Sequence, residues 1–242
     1  MAQNIYDDPE FFGGYGRLRR SVEGLDGAPE WPALRALLPP LRGLEVVDLG
    51  CGFGWFCCWA RAQGAARVLG LDLSERMLAR ARASTADGAI AYERADLERV
   101  ILPAGRFDLA YSSLALHYVE GAEGLLAAVH RALVPGGRLV FSTEHPVYTA
   151  PTEPGWRVDA RGRKTWPVDR YLVEGPRRTH WLGKTVVKQH RTIGTTLNFL
   201  VRAGFAIRHV EEFCPTEEQI AADPSLAEER ERPMFLLVAA GR

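Results

Sequence analysis

The stretch VVDLGCGFGWF, residues 46–56, begins with apolar residues and continues into a loop with glycine at every second position. Residues 45–49 read as a short buried β-strand, and the apolar residues 53–63 read as a buried helix that ends at Gly64. Glycine has no Cβ, so it adopts positive φ angles and lets a ligand approach the backbone closely. The stretch therefore predicts a strand, a turn and a helix, with a ligand at the turn. The three loop glycines are Gly50, Gly52 and Gly54.

The alternation of strand and helix continues beyond this stretch. Ser74 reads as the N-cap of a second helix, and a third helix over 124–133 buries one face and stops at Pro135-Gly136-Gly137. Such alternation is typical of a parallel sheet with helices on both faces. The sequence therefore predicts an α/β fold, a Rossmann-like, mostly parallel sheet of about seven strands with helices on both faces. The other elements are predicted at 67–73, 89–93, 106–113, 138–144, 205–213 and 235–241 for strands and 192–203 for a helix.

The pattern breaks between residues 145 and 188, which are rich in Pro, Gly, Trp and charge and lack a helical period. Within them, RYLVE (170–174) and KTVVKQ (184–189) read as antiparallel strands. We therefore predict a cap inserted after the fifth strand, at 145–188, that selects the substrate. The rest of the chain, residues 1–144 and 189–242, is predicted to form the main domain.

Composition argues against several classes of protein. The chain has 242 residues and a formal net charge of zero, unlike a general binder of nucleic acid or of anionic membranes. It lacks a basic N-terminal segment followed by an apolar run, and no stretch approaches the roughly 18 apolar residues of a membrane span. We therefore expect a soluble, cytoplasmic protein. Metal-ligand spacing is also missing, so we expect no metal site and free thiols at Cys51, Cys57, Cys58 and Cys214.

Charge is distributed unevenly along the chain. Residues 157–191 contain ten Lys or Arg against three Asp or Glu, and residues 211–232 contain eight acids against two arginines. Solvated faces explain such runs more often than partners do. The basic cap, with its interleaved Trp and Tyr, suits an aromatic or anionic small molecule better than an RNA. The sequence leaves open whether the chain forms a homodimer.

Two cofactors compete for the glycine loop. In an open α/β sheet, ligands bind beyond the carboxyl ends of the strands, where the first glycine turn meets a helix. A dinucleotide site has the pattern G-x-G-x-x-G, whereas here the third glycine comes one position early and Trp55 occupies its place, which should hinder close packing of the helix. S-adenosylmethionine is the alternative, because loop amides can hold its carboxylate and Asp72, 22 residues after Gly50, can accept its ribose hydroxyls. These residues favour S-adenosylmethionine and leave the dinucleotide as the weaker alternative.

Five segments between residues 46 and 142 occur in an order that is known from one family. They are VVDLGCGFG, LGLDLSERML, RADLERV, FDLAYSSLALHYV and LVPGGRLVFS. Together they resemble the motifs of the class I S-adenosylmethionine-dependent methyltransferases, in particular the small-molecule branch called methyltransferase type 11. The tail RAGF…FLLVAAGR is similar to the closing β-hairpin of that fold. The resemblance implies methyl transfer from S-adenosylmethionine with S-adenosylhomocysteine as product.

The resemblance also implies a role for individual residues. Asp72 matches the acid that binds the ribose, and Tyr15 resembles a residue of an N-terminal lid, here residues 1–44. His117 matches a position that follows the segment under the sulfonium. The methionine end is matched by Asp48, Gly50, Cys51 and Gly52, the adenine by Leu73, Met77, Asp96 and Leu97, and the segment under the sulfonium by Ser112 and Ser113.

Methyl transfer needs a positioned nucleophile, and a base only where that nucleophile carries a proton. Three histidines are candidate bases by topology: His117 after the fourth strand, His145 after the fifth, and His190 before the helix that follows the cap. We expect replacement of His145 or His190 by Ala to lower turnover more than cofactor affinity. The candidate substrate contacts are Tyr118, Glu144, Tyr148 and Arg191.

The sequence therefore predicts an enzyme that moves a methyl group from S-adenosylmethionine to a small molecule by in-line displacement. One alternative is a module that binds S-adenosylmethionine without catalysing transfer. An RNA methyltransferase is less favoured, and a nicotinamide oxidoreductase is a distant third. The sequence identifies neither the acceptor nor whether O, N or C receives the methyl group.

Overall fold

The computed structural model describes residues 3–242 of the chain. Its strands are β1 (Glu45–Leu49), β2 (Arg67–Asp72), β3 (Ile90–Arg94), β4 (Phe107–Ser113), β5 (Leu133–Glu144), β6 (Arg157–Val158), β7 (Lys164–Thr165), β8 (Gly175–Trp181), β9 (Lys184–His190), β10 (Ala206–Glu212) and β11 (Phe235–Gly241). Seven of them form one sheet in the spatial order β10-β11-β5-β4-β1-β2-β3. Only β11 is antiparallel to its neighbours, β5 and β10. The predicted Rossmann-like, mostly parallel sheet is confirmed.

Helices cover both faces of this sheet. They are α1 (Pro9–Tyr15), α2 (Arg19–Val22), α3 (Trp31–Ala36), α4 (Trp55–Ala62), α5 (Glu75–Ala83), α6 (Ala122–Ala132), α7 (Pro146–Thr149), α8 (Ile193–Ala203) and α9 (Glu217–Ala222). Successive residues of a strand point to opposite faces. Thus Leu139 and Phe141 of β5 belong to the core with α6 and α8, whereas Val140 belongs to the core with α3 and α4.

The glycine loop turns back over the end of β2. The φ angles of Gly50, Gly52 and Gly54 are 82°, 52° and 75°, all in the region that favours glycine. The N–H groups of Gly50 and Cys51 both donate to the carbonyl of Leu71, at 2.8 and 2.9 Å. The loop is therefore tied to the neighbouring strand before α4 begins.

The turn Pro135-Gly136-Gly137 lies inside β5 and does not end α6, which stops at Ala132. The predicted boundary between helix and strand was wrong here. The pairing of β4 with β5 shifts register between Phe107 and Leu109, so the extra residues of β5 are taken up as an irregularity in the ladder. Gly136 permits it with a φ of 84°.

The segment RYLVE (170–174) forms a turn, so its prediction as a strand was wrong. Arg170 has a φ of 54°, outside the extended region, and the N–H of Val173 donates to its carbonyl at 2.9 Å. The segment KTVVKQ was predicted correctly and belongs to β9. It pairs with β8 in an antiparallel hairpin, and β6 pairs with β7 in a second, shorter one.

Among residues 3–242, no helix is both long enough and apolar enough to cross a membrane. The same residues contain no cluster of three His, Cys, Asp or Glu side chains placed to bind a metal ion. All four cysteines are free thiols.

Substitution of Gly70 tests how closely α4 packs on β2. An added Cβ would lie 2.8 Å from a ring carbon of Tyr92 and 3.0 Å from the sulfurs of Cys51 and Cys57. We expect Gly70→Ala to lower the free energy of unfolding by about 1–3 kcal/mol, because overpacking forces neighbours to shift. The control is Gly124→Ala in α6, where nothing lies within 4 Å of the new Cβ. It should be neutral or raise stability by up to about 1 kcal/mol; equal effects in urea unfolding would contradict the packing.

Candidate functional site

Two adjoining cavities lie beyond the carboxyl ends of β1, β2 and β4. The loop cavity lies against the glycine loop and the end of β2, and includes Gly50 and Asp72 in its wall. The larger hairpin cavity lies between the N-terminal helices and the β8–β9 hairpin, and includes Glu144 and Lys188. The two cavities share a wall, which consists of Tyr6, Tyr15, Gly52, Leu114 and Tyr118.

Asp72 joins the glycine loop to the end of β2. Its Oδ2 accepts the N–H of Gly52 at 2.8 Å, and its Oδ1 accepts the N–H of Ser74 at 2.9 Å. Burial raises the pKa of Asp72, while the bonds from Ser74 and Gly52 act in the opposite direction. Each carboxylate oxygen has a second lone pair. Asp72 can therefore also accept the hydroxyls of a ligand in the loop cavity.

The rest of the loop cavity is largely apolar. Leu73, Met77 and Leu97 suit the faces of a planar ring system, and Asp96 contributes a carboxylate. A Cβ on Gly52 would meet nothing within 4 Å, so the loop backbone borders open space there. Of the residues predicted to bind the cofactor, those that line this cavity are Tyr15, Gly50, Gly52, Asp72, Leu73, Met77, Asp96 and Leu97.

Two predicted cofactor residues lie behind the loop and line neither cavity. Asp48 is buried in β1 and accepts a bond from the thiol of Cys57, with 3.4 Å between Sγ and Oδ2. Burial raises the pKa of Asp48 to about 7. Ser112 is buried too, and its hydroxyl donates to the carbonyl of Leu49 at 2.8 Å. Three further predicted residues line the hairpin cavity instead, namely Cys51, Ser113 and His117.

Three tyrosines meet at the boundary between the cavities. The ring of Tyr6 packs edge-on against those of Tyr15 and Tyr118, at centroid distances of 5.2 and 6.1 Å. The hydroxyls of Tyr6 and Tyr118 are 3.2 Å apart. Burial raises the pKa of all three hydroxyls, so they are neutral at pH 7. Leu114 completes the boundary with a φ of 53°, a strained conformation for leucine.

A charged network lines the hairpin cavity beside β5 and β9. Lys188 is buried, its ammonium pairs with Glu144 Oε1, and it lies 5.5 Å from the ring centroid of Trp181. The other oxygen of Glu144, Oε2, is buried and has no hydrogen-bond partner among residues 3–242. His117 Nδ1 accepts the N–H of Glu144 at 3.4 Å, and its Nε2 lies 3.9 Å from Glu144 Oε1. Burial lowers the pKa of His117 to about 4, so the ring is neutral.

The other two candidate bases lie outside both cavities. His145 contacts Glu212 Oε1 through Nε2 at 2.8 Å, and its Nδ1 accepts a backbone N–H of α7. His190 is fully buried, with Nδ1 2.9 Å from the hydroxyl of Thr149 and Nε2 2.8 Å from the carbonyl of Tyr171. Burial lowers the pKa of both histidines. The ring nitrogens of both histidines are thus engaged in contacts within the protein, most of them to residues of the segment 145–188.

Of the predicted substrate contacts, Tyr118, Glu144 and Tyr148 line the hairpin cavity. Arg191 does not. Its guanidinium donates to backbone carbonyls of the segment after β4, including that of Glu120 at 3.0 Å. Arg191 therefore fastens this segment to the end of β9.

Several residues of the hairpin cavity were not predicted from the sequence. The position of Lys188 in the strand indicates burial, because β9 buries every second residue and Lys188 alternates in phase with Val186 and His190. A lysine in the buried phase of a strand needs a charged partner. No sequence pattern indicated that Arg20 and Ser21 line a cavity, because they lie in a helix of four residues, which is too short to show a hydrophobic period.

Trp55 does not hinder the packing of helix on strand, contrary to the expectation from the sequence. It begins α4, is 40% exposed and borders the hairpin cavity, with Gly24 against its ring. The close approach occurs at Gly70, where the sulfurs of Cys51 and Cys57 come near the strand backbone.

Comparison with known proteins agrees with this geometry. A family model described as a methyltransferase domain matches residues 47–141. The crystal structure of an S-adenosylmethionine dependent methyltransferase from Mesorhizobium loti is 70% identical, with a TM-score of 0.88 over 90% of this chain and 100% of that one. An uncharacterized protein of Haemophilus influenzae is 35% identical over 86% of this chain and 85% of its own length.

A third match is partial. The malonyl-[acyl-carrier protein] O-methyltransferase of Enterobacter lignolyticus is 40% identical over 111 residues, which are 46% of this chain and 43% of that one. The match therefore spans less than half of either chain. The 70% identity to a solved methyltransferase extends over 90% of this chain. The chain therefore belongs to the S-adenosylmethionine-dependent methyltransferases.

Proposed function

We propose that this enzyme methylates a small molecule held in the hairpin cavity while S-adenosylmethionine occupies the loop cavity. The observation that supports the assignment is the shared wall. Because Tyr15, Gly52 and Tyr118 border both cavities, ligands in the two would lie next to each other at this wall. A methyl group could then pass directly from one to the other.

The residues around the loop cavity fit S-adenosylmethionine. The loop backbone at Gly52 borders open space, so the carboxylate end of the ligand can lie against the loop, close to the start of α4. The carboxylate of Asp72 has free lone pairs for the two ribose hydroxyls. Leu73 and Met77 offer an apolar surface for the adenine ring.

The chain's own part in the reaction is to position the ligands and exclude water. When bound, S-adenosylmethionine supplies a methyl group on a positively charged sulfur. The rings of Tyr6, Tyr15 and Tyr118 stand at the boundary, where aromatic faces stabilise a positive charge and displace solvent. The wall of the hairpin cavity must hold the acceptor so that its lone pair points at the methyl carbon.

We propose that residues 1–44, of which the first two lie outside the described residues, act as a lid. Two contacts support this role. Asp7 accepts a hydrogen bond from the hydroxyl of Ser74 at 2.6 Å, and the side chain of Gln3 accepts the N–H of Val187 at 2.8 Å. The segment thus connects the end of β2 to the β8–β9 hairpin over both cavities.

We propose that residues 145–188 select the acceptor. This segment supplies Tyr148, Trp181 and Lys188 to the hairpin cavity. None of its residues lines the loop cavity, so changes in the segment should alter the acceptor without altering the cofactor.

Glu144 is the group best placed to accept a proton or a hydrogen bond from the acceptor. It is the only acid in the described wall of the hairpin cavity, and Lys188 fixes one of its oxygens. His117 is less suited to act as a base, because its pKa is about 4 and its Nδ1 is engaged. With Nδ1 as an acceptor, the neutral ring carries its proton on Nε2 and can donate a bond to the acceptor.

A small acceptor is favoured over an RNA by the charges of the cavity. Its two cations are already paired, the part-buried Arg20 with Glu30 and the buried Lys188 with Glu144. Binding to a phosphate backbone depends on free cations and weakens steeply with salt. Methyl transfer should therefore change little between 50 and 200 mM salt, whereas an RNA methyltransferase would lose about 10³-fold or more in affinity.

Labelling of a metabolite extract tests the proposed function. The enzyme with trideuteromethyl S-adenosylmethionine should form a deuterated small molecule in an extract freed of RNA and protein. Glu144→Gln should slow this reaction at least about ten-fold, the effect of losing a general base or a transition-state hydrogen bond.

The control for this experiment is Glu212→Gln, which alters the partner of His145 outside both cavities. It should leave the rate unchanged. Labelling that occurs only when RNA is present, or equal losses in the two variants, would contradict the assignment.

Gly52→Ala tests the position of the cofactor. The new Cβ would enter the open space of the loop cavity, so we expect S-adenosylhomocysteine to bind at least about ten-fold more weakly in calorimetry, or 1.4 kcal/mol. Gly43→Ala is a matched control, because Gly43 also has a positive φ and open space around its Cβ but lies outside both cavities. Equal affinities in the two variants would place the cofactor elsewhere.

His117 should make stability depend on pH. Burial lowers its pKa from 6.5 to about 4, so between these values the unfolded chain binds a proton that the native protein does not. The free energy of unfolding is therefore highest above pH 6.5, where His117 is neutral in both states, and it falls as the pH drops toward 4. Over this window the wild type should lose about 3 kcal/mol more than His117→Asn in urea unfolding. The raised pKa of Asp48 gives the free energy of unfolding the opposite dependence on pH, but this effect is the same in both proteins and cancels in the comparison. Parallel profiles of stability against pH for the two proteins would contradict a buried neutral His117 ring.

A further inference from the structure

Arg20 has hydrogen-bond donors left over in the hairpin cavity. Its Nη2 donates to both carboxylate oxygens of Glu30, at 3.0 and 3.1 Å, and Glu30 is fully buried behind it. The guanidinium has five N–H groups in a planar fork. Neither Nε nor Nη1 has an acceptor among residues 3–242, although Arg20 lies in the cavity wall. Glu30 thus holds the guanidinium in place from one side and leaves the other side available.

The next residue, Ser21, is an unpartnered polar group in the same wall. Its side chain is 1% exposed, and its hydroxyl forms no hydrogen bond with any described residue. A buried hydroxyl without a partner costs free energy, and such groups in native proteins are commonly completed by a ligand or an ordered water. Arg20 and Ser21, adjacent in the chain, therefore both have donors that make no well-formed hydrogen bond with a described residue.

These donors lie near the boundary with the loop cavity. Burial raises the pKa of Tyr15, and the charge of Arg20 together with the nearby hydroxyl of Ser21 partly opposes that rise. Arg20 also helps to keep His117 uncharged. Ser21 thus lies beside Tyr15 of the shared wall, and Arg20 lines the same cavity.

Around Arg20 and Ser21 the wall of the hairpin cavity is apolar and aromatic. The guanidinium lies 5.7 Å from the ring centroid of Phe235, and the rings of Phe56 and Tyr111 are stacked at 3.5 Å beside it. Trp55 adds a partly exposed ring to the same wall. A ligand held by Arg20 would therefore have an apolar body in contact with these rings.

We infer that Arg20 and Ser21 form a subsite for a carboxylate of the methyl acceptor, so that the acceptor is a carboxylic acid with an apolar or aromatic body. The inference rests on the proposed function, since it assigns the substrate class of the hairpin cavity. A free N–H of the guanidinium can donate a charge-assisted bond to one carboxylate oxygen, and the hydroxyl of Ser21 offers a second donor.

A carboxylate is favoured over a phosphate by the local charge. Arg20 is paired with Glu30, and the other cation in the described wall, Lys188, is paired with Glu144. A carboxylate would therefore add one uncompensated negative charge to the cavity, and a dianionic phosphate would add two, at a higher desolvation cost. A monoanion is the less costly of the two ligands.

The test is a set of matched probes titrated calorimetrically into the enzyme saturated with S-adenosylhomocysteine. The probes are 3-phenylpropionate and indole-3-acetate, their neutral amides, and phenyl phosphate. At least one acid should bind about ten-fold or more tightly than its own amide, and more tightly than phenyl phosphate. If neither acid exceeds its amide, or if phenyl phosphate binds best, the inference is wrong.

Variants connect this preference to the two residues. Arg20→Gln alone would leave Glu30 buried without a partner and could unfold the protein, so Arg20→Gln is combined with Glu30→Gln. The double variant should lose the preference for the acid, and Ser21→Ala should reduce it about three- to ten-fold. Arg19→Gln is the control, because Arg19 is exposed on the same helix and outside the cavity. A preference retained in the double variant and in Ser21→Ala would overturn the inference.

The same titrations separate this inference from the proposed function. S-adenosylhomocysteine should bind the wild type, the double variant and Ser21→Ala alike, because neither Arg20 nor Ser21 lines the loop cavity. Failure of the wild type to bind S-adenosylhomocysteine would contradict the proposed function. Normal binding without any preference for acids would contradict only the carboxylate subsite.

Discussion

The hydrogen bond between Gly52 N–H and the Asp72 carboxylate is the contact on which the site depends. It connects the loop after β1 to the end of β2, and the bonds from Gly50 and Cys51 to Leu71 reinforce it. The loop can follow this path only because its alternate residues accept positive φ. Asp72 also lines the loop cavity, so the carboxylate that makes this structural bond is the one we propose for the ribose of the cofactor.

The division of the site into two cavities arises from the N-terminal segment rather than from the sheet. Tyr6 and Tyr15 stand between the cavities because Asp7 binds the start of α5 and Gln3 binds β9. Lys184 adds ion pairs with Asp8 and Glu10. The ends of the sheet strands thus border the loop cavity, while the N-terminal helices and the β8–β9 hairpin enclose the hairpin cavity.

Local patterns in the sequence were sufficient to predict the fold and most residues of the loop cavity. Apolar runs predicted the seven strands, and the spacing from Gly50 to Asp72 predicted two residues that do lie in one cavity. The hairpin cavity was harder to predict because its polar groups are paired across the chain. Lys188 pairs with Glu144, which lies 44 residues away in the chain. His190 is a residue type that can act as a base, but its Nδ1 contacts the hydroxyl of Thr149. Such roles depend on tertiary contacts that no local pattern records.

Central to the proposed function is that donor and acceptor occupy adjoining cavities separated by the tyrosine boundary. A crystal structure of the enzyme with S-adenosylhomocysteine tests it most directly. We predict the ribose hydroxyls on Asp72 and the sulfur at the wall formed by Tyr6, Tyr15 and Tyr118, facing the hairpin cavity. A sulfur that points away from this wall, or a cofactor bound outside the loop cavity, would contradict the claim.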